Sequence, residues 1–204
     1  MFSGQIEFQK ASQDERIVSL DLACCLSERL GIRPLTTEDA NSLFSLTDAN
    51  RDYLRQWLPW LDSTLSSEDT RAFIKQKIEQ AQLGQELVST ICYDQVIVGL
   101  IGLHNLSWDN WSGSMGYWLS AAHQGRGIMT RACRSMMDYG FSTLNLNRID
   151  ICCAVGNTQS EAVAKRLGLT FEGTLRETEW LYDHFVDHKL YSLLRREWRS
   201  QLTS

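Results

Sequence analysis

One segment constrains this chain more than any other: Gly116-Tyr117-Trp118-Leu119-Ser120-Ala121-Ala122-His123-Gln124-Gly125-Arg126-Gly127-Ile128-Met129-Thr130. It reads as a strand running into a glycine loop, followed by a helix from about Gly127 to Leu144. The first N–H groups of such a helix lack partners within it, and the positive end of its dipole faces the loop. That combination makes an anion site, and glycines let a pyrophosphate approach the backbone. Taken alone, Gly-x-Gly suits a plain turn equally well, and the spacing fits neither GxGxxG nor the P-loop pattern with its Lys-Ser/Thr ending.

The chain around this segment is 204 residues long, which suits one domain with a real core. Residues 1–28 show no sustained period and read as an N-terminal extension, with a single domain over 29–198. Arg29 to Leu35 alternates and carries Pro34, as a short edge strand would. Thr36-Thr37-Glu38-Asp39 then opens a helix as a capping box, followed by Ala40, Leu43, Phe44 and Thr47. Tyr53 to Leu61 is a short helix broken at Pro59, in which Trp57 and Trp60 either seal the core or line a cleft. A further helix starts near Ser66 or Ser67, shows a Phe73, Ile74, Ile78, Ala81 stripe, and stops at Gly84.

From there the period changes to two. Leu87 to Tyr93 and Val96 to Leu106 form a hairpin around Asp94-Gln95, and Ser114 to Ser120 follows a turn at Trp108 to Trp111. After the glycine loop come a strand (Arg148 to Val155), a helix (Thr158 to Leu167) and two strands (Thr170 to Trp180, Phe185 to Leu194). The fold class is therefore α+β: a mixed, mostly antiparallel central sheet flanked by helices.

Composition removes several functions. A net charge of −5 argues against direct binding of nucleic acid, which needs a basic face. No apolar run is long enough to span a membrane and the start lacks a leader pattern, so a cytoplasmic location without membrane contact is expected. The six cysteines include the adjacent pairs Cys24-Cys25 and Cys152-Cys153 but no CxxC. Neighbours on a strand point to opposite faces, so no metal is expected and the thiols read as reduced and mostly buried. His184 and His188 share a strand face but lack a third ligand, which leaves them surface or packing roles.

A second block sharpens the reading: Asn157-Thr158-Gln159-Ser160-Glu161-Ala162, continuing to Gly168-Leu169-Thr170-Phe171-Glu172-Gly173. In isolation Asn157 or Ser160 would be a helix cap. With the glycine loop, the pattern from Leu30 to Trp198 resembles the GNAT acetyltransferase superfamily, and within it the RimJ/RimL branch, which acetylates protein N-termini among other amines. The resemblance implies the acyl-CoA N-acyltransferase fold, with acetyl-CoA as co-substrate. It implies that Gln124, Gly125, Arg126, Gly127, Ile128, Met129 and Thr130 hold the pyrophosphate, that Tyr117, Trp118 and Leu119 pair with the pantetheine amides, and that Asn157 and Ser160 lie near the thioester. Met129 departs from the superfamily pattern, which has a small residue there; altered packing is expected, because an N–H does the binding.

Direct transfer needs a base for the acceptor amine and a donor for the leaving sulfur. Glu179, beside Trp180, resembles a glutamate of the RimL group proposed as base; Glu177 is its rival on the same strand. Ser160 is the candidate donor to sulfur, and backbone N–H groups of residues 117–119 could polarise the carbonyl. The resemblance favours a protein or peptide N-terminal α-amine as acceptor, with a polyamine or amine-bearing antibiotic as the alternative. A non-catalytic coenzyme A-binding module is the reading from another class, and a nucleotide-binding dehydrogenase fits least. The edge left by the last strand suits a homodimer.

Overall fold

The computed structural model describes residues 22–202. Their strands are β1 (Cys24–Cys25), β2 (Leu30–Pro34), β3 (Leu87–Tyr93), β4 (Val96–Ser107), β5 (Ser112–Leu119), β6 (Arg148–Ala154), β7 (Thr170–Leu181) and β8 (His184–Leu194). The helices are α1 (Ala40–Ala49), α2 (Arg51–Leu54), α3 (Ser67–Gln82), α4 (Ile128–Asp138), α5 (Thr158–Arg166) and α6 (Arg195–Leu202). All eight strands form one sheet in the order β1-β2-β3-β4-β5-β6-β8-β7. Every neighbouring pair is antiparallel except β5 and β6, which are joined through α4 and run parallel.

Alternation along the strands builds a core on each face. Leu100 and Trp118 point one way and pack with Leu43, Leu54, Leu61 and Ile74 from α1 to α3. Ile101, Met115, Ile149 and Ile151 point the other way, against Ala132 and Met136 of α4 and Val163 of α5. The capping box expected at Thr36 forms, the Asp39 carboxylate accepting from the Thr36 N–H at 2.9 Å; at the start of α3 Asp69 accepts from the Ser66 N–H at 2.8 Å in the same way.

Several expectations needed correction. Most of the expected extension falls on residues 1–21, outside the described residues; Leu22 is buried in the core and Cys24–Cys25 pair with β2. The helix after the glycine loop ends as α-helix at Asp138 and continues as a π turn over Tyr139–Thr143. α6 follows the last strand unannounced, because its sequence is mostly charged. Its Trp198 is buried against Phe141 and donates to Asp138 Oδ1 at 2.8 Å. The thiols are not mostly buried either: Cys133 and Cys153 are, but Cys25 sits on a short edge strand and Cys152 on the open face of β6, both exposed.

Candidate active site

Three parallel pairs, Ser112 with Arg148, Gly113 with Ile149 and Ser114 with Asp150, join β5 to β6. Past them the strands diverge, β5 running on to Leu119 and β6 to Ala154. A cleft of about 880 Å³ opens in the gap. Backbone groups on the facing strand edges have no ladder partner there, and buried N–H and C=O groups require one. An extended ligand with its own amides would satisfy them.

The glycine loop closes one end of the cleft. Gly125 and Gly127 adopt φ values of 71° and 69°, and Gly127 caps α4 in that left-handed conformation. A Cβ at either would meet nothing within 4 Å, so the loop surface is open to a ligand. Side chains from the neighbouring helices fix the loop. Asn50 Oδ1 accepts from the Ala121 N–H at 2.9 Å, and Gln124 Nε2 donates to the Tyr53 hydroxyl. Ile128 and Met129 send their side chains into the core, so Met129 is accommodated as packing while the first N–H groups of α4 remain for a ligand. Arg166 of α5 also lines the cleft and donates from Nε to Thr130 Oγ1 at 3.3 Å.

On the α5 side of the cleft lies a pair of hydroxyls. Tyr117 OH and Ser160 Oγ are 3.1 Å apart, and the Asn157 side chain accepts from the Ser160 N–H at 3.1 Å, which caps α5 and sets the position of Ser160. Burial pushes the Tyr117 phenol well above its ordinary range, so it stays protonated and can donate.

On the opposite side sits a carboxylate. Leu175 of β7 lies opposite His188 of β8, but Glu179 lies opposite Val186, so Arg176, Glu177 and Thr178 together face one residue, Asp187. Glu177 occupies this bulge at a φ of 49°, and its N–H donates to Asp187 Oδ1 at 2.8 Å. Regular pairing would have put Glu177 opposite Val186; the bulge moves Glu179 there instead. Opposed residues share a face. Glu179, Val186 and His188 therefore lie on one face of the hairpin, and His188 Nε2 is 3.2 Å from Glu179 Oε2. From the other face Lys189 and Tyr191 both reach Glu161 of α5, at 2.8 Å each.

Every sequence-predicted site residue except Arg126, which is exposed, lines this cleft. Glu179 lines it and Glu177 does not. The two tryptophans before α3 divide: Trp57 lines the cleft, while Trp60 packs on Trp118 with ring centroids 6.5 Å apart. Trp108 and Trp111 lie outside it, and Trp108 Nε1 is held by the Gly84 carbonyl at 2.9 Å. Tyr53, His104 and Arg166 line the cleft without having been singled out. Of the two histidines given surface or packing roles, His184 is exposed beside Asp183 and His188 lines the cleft. Spacing alone held no signal for His188, because its partner is set by the bulge.

Comparison with known proteins agrees with this geometry. Residues 29–170 match the acetyltransferase (GNAT) domain family. The chain is 31% identical over 167 residues to the ribosomal-protein-serine acetyltransferase of Escherichia coli (strain K12), covering 82% of this chain and 93% of that one. Among solved structures, RimL, a ribosomal L7/L12 alpha-N-protein acetyltransferase in complex with coenzyme A, superposes with a TM-score of 0.82 at 27% identity, over 85% of this chain and 98% of that one. The microcin C7 self immunity acetyltransferase MccE, in complex with acetyl-CoA and AMP, superposes with a TM-score of 0.80 at 27% identity, over 87% and 99%. The chain belongs to the GNAT acetyltransferase family. It is an acetyl-CoA-dependent N-acetyltransferase, which sets aside the dehydrogenase and the non-catalytic module.

Proposed function

We propose that this enzyme acetylates the α-amine of a protein or peptide N-terminus, with Glu179 as base and Ser160, supported by Tyr117, as donor to sulfur. The residues present suit coenzyme A: the open Gly125 and Gly127 surface for the pyrophosphate, the unpaired strand edges for the pantetheine amides, and the hydroxyl pair for the thioester end. Bound acetyl-CoA supplies an activated carbonyl: the amine nitrogen forms the C–N bond as the C–S bond breaks, sulfur keeps the electron pair and ends as the thiol, and one further proton of the ammonium is left for the protein to take.

The protein groups divide this work between the two sides of the cleft. Glu179 takes the proton of the incoming ammonium directly or through water. Ser160 and the protonated Tyr117 offer hydroxyl hydrogens on the sulfur side.

The observation that carries the acceptor assignment is a second hollow of about 350 Å³, which adjoins the cleft at Trp57 and Ala154 and is walled by residues 181–184 at the hairpin tip. Tyr182 donates its hydroxyl to the Leu58 carbonyl and lies under the Arg55 guanidinium, 3.8 Å from its ring, which fixes the outer wall. A polypeptide can place its terminus at Glu179 and its next residues in this hollow. Relatives named for ribosomal proteins support the same acceptor class.

The test is thiol release from acetyl-CoA with peptides beginning Ser, Ala or Met, with polyamines and with aminoglycosides. Peptide-selective release is the expected outcome. Faster release with a small amine would replace this reading by the alternative acceptor.

A further inference from the structure

The geometry points to His188 as the positioning residue of the catalytic carboxylate: its imidazole N–H holds the Glu179 side chain toward the acceptor. This rests on Glu179 being the base. The Nε2 to Oε2 distance of 3.2 Å joins a group with 15% of its side chain exposed to one with 29% exposed, and both line the cleft. An ionised carboxylate only accepts, so Nε2 carries the hydrogen.

Three features make this contact more than a chance neighbour. First, the bulge at Glu177 brings Glu179 opposite Val186, adjacent on the same face to His188; in a regular ladder Glu179 would lie opposite His184 at the hairpin tip. Second, β8 is held on both sides of His188. β6 pairs Ala154 with His188, and the next residue, Lys189, is tied through its ammonium to Glu161 of α5. The imidazole therefore stands on a fixed strand, whereas Glu179 is on the edge strand with β8 as its single neighbour. Third, no other ionic or hydrogen-bonding partner of the Glu179 carboxylate is found among the described residues. The remaining titratable groups nearby are Asp187, turned to the Glu177 N–H, Glu161 with Lys189 on the far face, and Cys152 on β6.

A flexible glutamate on an exposed edge would sample many rotamers, few of them reaching the acceptor nitrogen. A donor from the fixed strand selects one of them and aims the carboxylate at the acceptor. Removing it should lower turnover without touching acetyl-CoA binding.

Three variants test this: His188→Ala, His188→Gln and Glu179→Gln. Each is measured for kcat, for the acceptor KM, and for acetyl-CoA Kd by calorimetry. His188→Ala is expected to lower kcat by about tenfold, the size expected from losing a charge-assisted hydrogen bond. Its acetyl-CoA Kd should not change. Glutamine keeps a donor of similar reach, so His188→Gln should recover several-fold of the lost kcat. An alanine variant with wild-type kcat would overturn the proposal, as would an equal loss in the alanine and glutamine variants, which marks plain packing. Glu179→Gln with full turnover would instead overturn the assignment of the base. Where the alanine variant does not fold, His188→Leu, which keeps a comparable volume without the donor, takes its place and is read by the same outcomes.

Discussion

β5 and β7 stand on opposite sides of the cleft, and they are supported very differently. β5 lies within the sheet with a core on each face: Trp118 packs into one, and Met115 and Leu119 into the other. Along β7 only Leu181 is buried, and near its tip the Trp180 and Phe185 rings, 4.8 Å apart, are 52% and 56% exposed. The wall assigned to the co-substrate is thus pre-formed, with its glycine loop clamped by Asn50 and Tyr53. The wall assigned to the acceptor is an edge hairpin, steadied by a few polar ties. A constant ligand can be met by a rigid surface, whereas an acceptor must enter and leave, which requires access.

Substitutions on the two walls should separate accordingly. The largest effect is expected from Glu179→Gln: kcat about a hundredfold lower, within the range for losing a general base, with acetyl-CoA Kd retained in calorimetry. The converse is expected for Gly127→Val, where a β-branched residue is forced to positive φ at a cost of about 1–2 kcal/mol and crowds the anion site. Its acetyl-CoA Kd should rise about tenfold or more, and equal affinity would place the pyrophosphate elsewhere. If both variants lost affinity and turnover together, the division between the walls would be wrong.

A smaller effect is expected from Tyr117→Phe, which leaves Ser160 without its hydroxyl partner. A several-fold drop in kcat, read at saturating acetyl-CoA, would keep the hydroxyl pair in the reaction; no change would leave Tyr117 a packing residue.

The smallest concerns the tie between the walls. Hydrogen bonds from Lys165, Lys189 and Tyr191 hold the Glu161 carboxyl down to about 2, below its ordinary 4.5. A depressed carboxylate stabilises the fold above its unfolded value and loses that contribution as pH falls toward the folded one. Glu161→Gln should therefore lower Tm at pH 7, and the difference from the parent should shrink between about pH 4.5 and 2. A difference independent of pH would mean that the tie acts through shape rather than charge.

How much of this was legible beforehand varies by element. The glycine loop, the Asn157 cap and the capping box at Asp39 depend on neighbours a few residues away, so their order in the chain nearly specifies their geometry. Element order and the α+β class follow likewise from the change between a helical period and a period of two. α6 escaped because one buried tryptophan among charges leaves no stripe to read, and the fate of Trp57 and Trp60 depended on which face Trp118 occupied.

By itself, then, the sequence determined what rests on local chemistry: a strand, a glycine turn and a helix start of the kind that suits an anion, followed by a capped helix carrying Ser160. Only the tertiary structure decided what rests on distant pairing. A bulge in β7 brought Glu179 rather than Glu177 to the cleft, the splay of β5 from β6 opened it, and the register of β8 set His188 beside the Glu179 carboxylate. Strand register is a cooperative property of two segments, and a shift of one or two residues in one strand changes every contact beyond it.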